Sequence, residues 1–397
     1  MRVSERPFLS SSAALAVIAA ACSGCTRDDP RDLAFRAQAE AAAGRPAEAE
    51  AALAKLARIR RLTVPERLLR SQAASNRGQI AEALAALDDA YAPTRGPEAA
   101  LIASRRGELE MERHRFRAAE AELKRALVLN PKSTDARRRL IWLYAQQGRS
   151  ALVAAESLLL ASGSSFEFLD LVVWTLDRHA PIDLADLADG LAQAVAQDPD
   201  DRLSRLALAE TFRRLGRLDQ ADATLAGLGP TDRDGRVARA RIALDRGDTA
   251  AAEALLGADT GDDTHAASAQ LRGRLALGRG DAAAAVNHFR AALEAAPNDR
   301  DSHFGLSQAL RLTGHAETAR PHAESARAHD HLEWLVQSAL APNRRSDLET
   351  LRSIARACRD LGRRDQARAW YRLALRIAPD DASVQEALSQ LDQDKAR

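Results

Sequence analysis

A glycine five residues ahead of a small residue recurs along this chain, and that recurrence restricts its fold more than any other feature. The pairs are Gly44/Ala49, Gly78/Ala83, Gly216/Ala221, Gly247/Ala252, Gly280/Ala285, Gly314/Ala319 and Gly362/Ala367. His114/Ala119 and Gly148/Val153 fit with one departure each. Successive intervals are 34, 36, 34, 68, 31, 33, 34 and 48 residues. Since 68 is twice 34, a disguised copy is expected between Gly148 and Gly216. "FLDLVVWTLDRHAPIDLADLADGLAQAVAQDP" supplies it, with Leu187, Leu191, Ala194 and Pro199 in register. The interval of 48 leaves fourteen extra residues, and "LEWLVQSALAPNRR" reads as an inserted helix and turn.

The residues after each anchor carry one chemistry. "RFRAAEAELKRALVLNP" (115–131), "RGDAAAAVNHFRAALEAAP" (279–297) and "GRRDQARAWYRLALRIAP" (362–379) set two small residues around a large one. These are Ala119 and Ala126 about Leu123, Ala285 and Ala292 about Phe289, and Ala367 and Ala374 about Tyr371. Spacings of four and three place them on one helical face. Small residues let helices approach closely, and the large one fills the groove between them. Glycine suits the left-handed end of the preceding helix. Pro131, Pro199, Pro297 and Pro379 stop the second helix of their units. Aromatic residues are only 4% of the chain, and no stretch alternates apolar and polar side chains as a strand would. The expectation is an all-α fold.

The pattern resembles the tetratricopeptide repeat family over about residues 30–381. The resemblance implies a right-handed superhelical solenoid of about ten helix–turn–helix units, each stacked on its neighbours, with first helices lining a concave face. Repeat units are expected over 32–201, with the unit at 165–201 divergent, then over 202–331 and 348–381. An insertion occupies 332–347, and 382–397 forms a polar-faced capping helix. Two departures stand out: the first unit lacks its closing proline, and the copy at 100–133 places polar Arg106 and Glu110 where large apolar residues are usual.

In the resembled family, first-helix positions 5, 9 and 12 face the groove. Position 9 falls here on Glu108, Trp142, Glu210, Arg241, Arg274, Gln308 and Arg356. Position 12 adds Arg213, Arg311 and Arg359, and position 5 adds Arg138 and Arg352. Trp142, Gln308 and these arginines are the candidate partner-binding residues. The C-terminal half of the groove therefore reads as basic, although 57 basic and 56 acidic residues leave the chain nearly neutral. Guanidinium groups grip carboxylates bidentately, so the expected partner is a protein presenting an acidic segment or a C-terminal carboxylate. Solvated arginines on a polar helix face are the alternative. Tyr144 belongs to the core, and Trp174, Trp334 and Trp370 are expected to pack against neighbouring units.

The first thirty residues read as an address. Arg2 and Arg6 precede an apolar run from Phe8 to Ala21. As a helix those residues reach about 21 Å, short of the roughly 30 Å of bilayer hydrocarbon. Residues 1–21 are thus expected to be a signal peptide and 22–31 a polar tether. Ala19-Ala20-Ala21-Cys22 resembles a bacterial lipoprotein signal, which implies lipidation of Cys22, with Cys25 as the rival and a soluble, secreted form as the alternative. Ser23 after Cys22 implies the outer membrane. The expected setting is the bacterial cell envelope, facing the periplasm. An accessory subunit of an envelope-assembly, exopolysaccharide, pilus or cytochrome-maturation complex is an alternative role.

Other functions find little footing. Near-neutral charge argues against nucleic acid as a partner. None of the hydrolase, phosphate-loop, dinucleotide or zinc motifs is present, so no enzyme activity, cofactor, metal or small-molecule substrate is expected. Three cysteines are too few for a disulfide framework. Six of nine histidines lie between His288 and His331, with His315, His322 and His329 seven apart. Solvated side chains are the ordinary reading, and a metal site or a pH-responsive interface are the sharper ones.

Overall fold

A computed structural model describes residues 29–91, 96–163, 165–176, 182–257 and 265–393. Cys22, Cys25 and the leader lie outside these residues. Every regular element among them is a helix. The N-terminal pairs are α1 (Pro30–Ala42) with α2 (Pro46–Ile59), α3 (Val64–Asn76) with α4 (Ile80–Tyr91), and α5 (Gly96–Glu112) with α6 (Phe116–Leu129). Next come α7 (Thr134–Gln146) with α8 (Ser150–Ser162), α9 (Phe168–Leu176) with α10 (Leu184–Gln197), and α11 (Arg202–Arg214) with α12 (Leu218–Leu225). The rest are α13 (Arg233–Asp245) with α14 (Thr249–Gly257), α15 (Ala266–Gly278) with α16 (Ala282–Ala295), α17 (Arg300–Leu312) with α18 (Ala316–Ala339), and α19 (Leu348–Asp360) with α20 (Arg364–Ile377). A last helix, α21 (Ala382–Gln393), caps the stack.

The anchor glycines do one job. Gly44, Gly78, Gly148, Gly216, Gly247, Gly280, Gly314 and Gly362 all have φ between 65° and 82°, and His114 takes φ 57° in the same place. The following amide reaches back to a carbonyl five residues earlier, as Arg149 N does to Tyr144 O at 2.8 Å and Arg363 N to Cys358 O at 2.8 Å. That bond ends the first helix and reverses the chain within three residues. At the other end, Asp201, Asp232, Asp299 and Asp347 cap the first helices α11, α13, α17 and α19 with side-chain oxygens.

Consecutive first helices touch each other directly, α1 on α3, α5 on α7, α11 on α13 and α15 on α17, as the inner wall of a curved stack must. The small–large–small pattern is buried throughout: Ala119, Leu123 and Ala126, then Ala285, Phe289 and Ala292, then Ala367, Tyr371 and Ala374. Leu191 and Ala194 of the divergent unit are buried in register with them, and Leu187 is half-buried. In place of a separate inserted helix, residues 332–339 continue α18 to 24 residues, because Leu332, Leu335, Val336 and Ala339 keep its buried stripe going. Trp334 stands on the other side of that extension, 60% exposed and stacked at 5.9 Å on His331, not packed into a neighbouring unit.

Nearest-neighbour stacking does not account for the whole molecule. The last repeat folds back onto α8 and α9, and the two join in one core with Trp174, Leu332, Leu351 and Trp370. Trp370 Nε1 donates to Thr175 Oγ1 at 2.9 Å, and Phe168 meets the Trp370 ring edge-on at 5.7 Å. Gln366 Nε2 donates to Trp174 O at 2.9 Å, Arg363 to Thr175 O at 3.2 Å and Arg372 to Ala161 O at 3.3 Å. Arg376 donates to Phe166 O and lies 5.5 Å from the Phe166 ring. An open spiral, which nearest-neighbour stacking alone would give, is thereby corrected to one whose tenth unit closes onto its fourth and fifth.

Candidate binding groove and closed cleft

Closure turns the middle of the concave face into a cleft of about 930 Å³. Its apolar floor comes from Leu203, Leu206 and Ala207 of α11, Val237 of α13, and Leu184 and Leu187 of α10. Its rim is charged: Arg149 and Arg363 from helix turns, Arg241, Asp234 and Glu210 from first helices, and Asp299 before α17. Apolar floor and polar rim are what a protein-binding surface needs, since the floor supplies desolvation and the rim orientation.

The groove arginines are woven into ion pairs along the inner wall. Glu210 accepts from Arg213 Nε and Nη2 at 2.9 Å each, and from Arg241 Nη1 at 3.3 Å. Arg213 also pairs with Asp245, and Asp245 lies 3.8 Å from Arg274. Five charges on α11, α13 and α15 thus alternate in sign down the groove. Burial pushes the Glu210 carboxyl up, but Arg213 and Arg241 outweigh it and hold the group below its ordinary range. Asp234 is held well down too, chiefly by its hydrogen bond with His265.

Arg138 serves the scaffold. It grips the buried Asp170 carboxylate bidentately at 2.8 and 2.9 Å, and Asp170 in turn caps α9 through the Glu167 amide at 2.8 Å. Trp142 is half-buried against the main core, and Tyr144 is buried with the Arg149 guanidinium 4.4 Å from its ring centre. Toward the C-terminus the groove opens. Gln308, Arg311, Arg356 and Arg359 are exposed, and Arg352 is half-buried. Arg356 lies 3.4 Å from Glu349, Arg352 3.4 Å from Asp381 and Arg359 3.0 Å from Asp360, while among the described residues Arg311 reaches only the Ser307 carbonyl at 3.3 Å. The predicted set is therefore not brought together at one point but strung along the wall from α7 to α19.

Residues outside that set matter equally. Leu206, Val237 and Phe304 occupy position 5 of α11, α13 and α17, in the same register as Arg138 and Arg352. The first two line the cleft, and Phe304 is 42% exposed under the Arg300 guanidinium. Their register is present in the sequence, but apolar residues at these positions carry no charge signal to set them apart from core residues. No sequence periodicity reports Arg363, Gln366 and Trp370 as closure residues, since their partners lie 188 to 195 residues away.

Comparison with known proteins agrees with this architecture. Three tetratricopeptide repeat models match residues 104–161 and 271–331, 189–242, and 350–381, together just over half of the chain. No curated protein matches. Among solved structures, the Cut9–Hcn1 hetero-tetramer of APC/C is similar at 14% identity and TM-score 0.35, covering 92% of this chain and 90% of that one. A tetratricopeptide repeat protein from Parabacteroides merdae is similar at 17% identity and TM-score 0.31, covering 71% and 98%. The human IFIT1 dimer with PPP-AAAA is similar at 16% and 0.34, covering 89% and 92%. Likeness that distant says nothing of what this chain binds. Matched repeats, left-handed helix turns and an inner wall of first helices converge on one conclusion: the chain belongs to the tetratricopeptide repeat family and is a protein–protein interaction scaffold.

Proposed function

We propose that this protein is a lipid-anchored scaffold of the bacterial cell envelope that holds an acidic or carboxylate-presenting segment of a partner protein along its first-helix groove. The observation that carries the reading is the groove itself, an apolar floor at Leu206 and Val237 flanked by arginines that continue to Arg311, Arg356 and Arg359. A partner carboxylate entering there exchanges with Asp245 or Glu349, whose contacts with Arg274 and Arg356 are long, at 3.8 and 3.4 Å. Partly exposed pairs of that kind are held by at most about 1 kcal/mol, so exchange costs little. The address rests on the sequence of the leader, with Cys22 as the acylated residue and Cys25 as the alternative. Two or more acyl chains would anchor it firmly, at about 0.8 kcal/mol per buried CH₂.

Two experiments test the halves separately. Photocrosslinking from Trp142 or Arg274 in living cells should trap a defined partner, and Arg274→Glu with Arg356→Glu should abolish that capture; undiminished capture by the double variant rejects the groove. Labelling with radioactive palmitate should be lost in Cys22→Ala, move to Cys25 if that residue is used, and be missing from the start if the protein is exported without lipid.

A further inference from the structure

The closure that forms the cleft is fastened through a buried imidazole. His329 on α18 is 7% exposed, and its Nδ1 accepts from Arg363 Nη2 at 3.0 Å. Through Nη1 the same guanidinium donates to the Thr175 carbonyl at 3.2 Å. One arginine therefore ties α18, α9 and the head of α20 together. Because a guanidinium only donates, His329 must present a lone pair at Nδ1 and carry its proton on Nε2, which is buried with no acceptor among the described residues. A second histidine pair stands beside it. His303 on α17 lies 6.2 Å from the His329 ring, donates from Nε2 to the Pro297 carbonyl at 3.0 Å, and meets His322 Nδ1 to Nδ1 at 3.0 Å. With its proton on Nε2, His303 accepts at Nδ1, and a second proton there would set N–H against N–H.

We propose that this junction is a pH-sensitive latch, in which a proton on His329 displaces Arg363 and frees the last repeat from α9. The proton would occupy the one lone pair that holds the guanidinium, and it would place two cations 3.0 Å apart inside the core. Of the groups around the imidazole, Asp299 and Asp330 favour that charge, but less than burial, Arg363 and His303 oppose it. Arg363 faces it from the α19–α20 turn and His303 from α17, while α9 contributes only the carbonyl and hydroxyl of Thr175. Asp299, before α17, caps Ser302 at 2.9 Å and accepts from Gln270, and Asp330, on His329's own helix, is taken by Arg300 at 2.8 Å. Burial first, then Arg363 and His303, push the His329 imidazole down to about 4. Burial and the neighbouring His303 lower His322 in the same direction.

The sign follows from the lowered value. Released, His329 would titrate near its ordinary 6.5. The latch is thus fully favoured above that pH and loses about tenfold in its closed-to-open ratio for each pH unit between 6.5 and 4. Nothing in this depends on what occupies the cleft.

Hydrogen exchange on the full-length chain tests it. After correction for the intrinsic pH dependence of exchange, protection of α9 and α20 should fall by about thirtyfold between pH 7.5 and 5.0, with α3 unchanged. His329→Asn keeps an acceptor facing Arg363 but does not titrate, so its protection should stay level over that range. Arg363→Gln, which removes the repelled cation, should show low protection at both pH values and so serves if the asparagine variant fails to fold. Constant protection of α9 in the unmodified chain, or an undiminished pH response in either variant, overturns the latch.

Discussion

Phe289 makes the closest approach of any side chain to a described glycine at the scale of single residues. A Cβ added to Gly305 would meet its ring at 2.3 Å, and one added to Gly273 would meet it at 2.8 Å. The ring, 1% exposed, lies slotted between the two glycine-bearing first helices and has no room to yield. Gly305→Ala should therefore cost about 1–3 kcal/mol through overpacking, read as a lower urea midpoint with an unchanged slope. His114 offers the reverse test. It alone among the non-glycine described residues has positive φ, at the turn where its counterparts carry glycine. His114→Gly should raise stability by up to about 1 kcal/mol, since a left-handed residue with a Cβ is strained by roughly that much. A lower melting temperature in that variant would contradict the equivalence of the nine turns.

Among the elements, α9 departs furthest from the repeat. Every residue from Asp170 to Leu176 is buried, so beyond its first turn, where Leu169 is 39% exposed, this short helix has no solvent face. A helix apolar all round needs cover on more than one side, and α7, α8, α18 and α20 provide it. Trp370→Ala should strip that cover, costing about 3–5 kcal/mol in the closed form. The expected result is a larger radius of gyration in solution scattering with helical circular dichroism retained, because each remaining pair still stacks on its neighbours. A radius equal to that of the unmodified chain would show that the closure does not hold the shape. The α18 extension has the same logic. Its apolar stripe was visible in "LEWLVQSAL", but its partners were not, so an inserted helix and a longer α18 looked alike.

For the whole molecule, charge is balanced pairwise where α11, α13 and α15 line the groove and not only in total. Neutralising Glu210 removes the carboxylate shared by Arg213 and Arg241, so Glu210→Gln should tighten capture of an acidic partner, measured by crosslinking yield from Trp142. Weaker capture would mean that Glu210 itself contacts the partner. The depressed Glu210 carboxyl also fixes a direction with pH: its ion pairs contribute fully above the ordinary carboxylate range and are lost as acid protonates it.

Most of the fold was written in the sequence because a repeat is local. A glycine turn, a small–large–small face and a stop at proline act within one unit of 34 residues, so Gly148, Leu123 and Pro131 could be read without knowing where the chain went next. The candidate site was legible only as a register. Positions on the groove side could be listed, but whether Arg274 was paired or Arg138 was spent on Asp170 depends on carboxylates about thirty residues away. What tertiary structure alone decided is the closure of the stack and the cleft it makes. Small angles between successive units add up over six of them before α20 meets α9, and contacts such as Trp370 to Thr175 leave no periodic trace, since each partner occurs once.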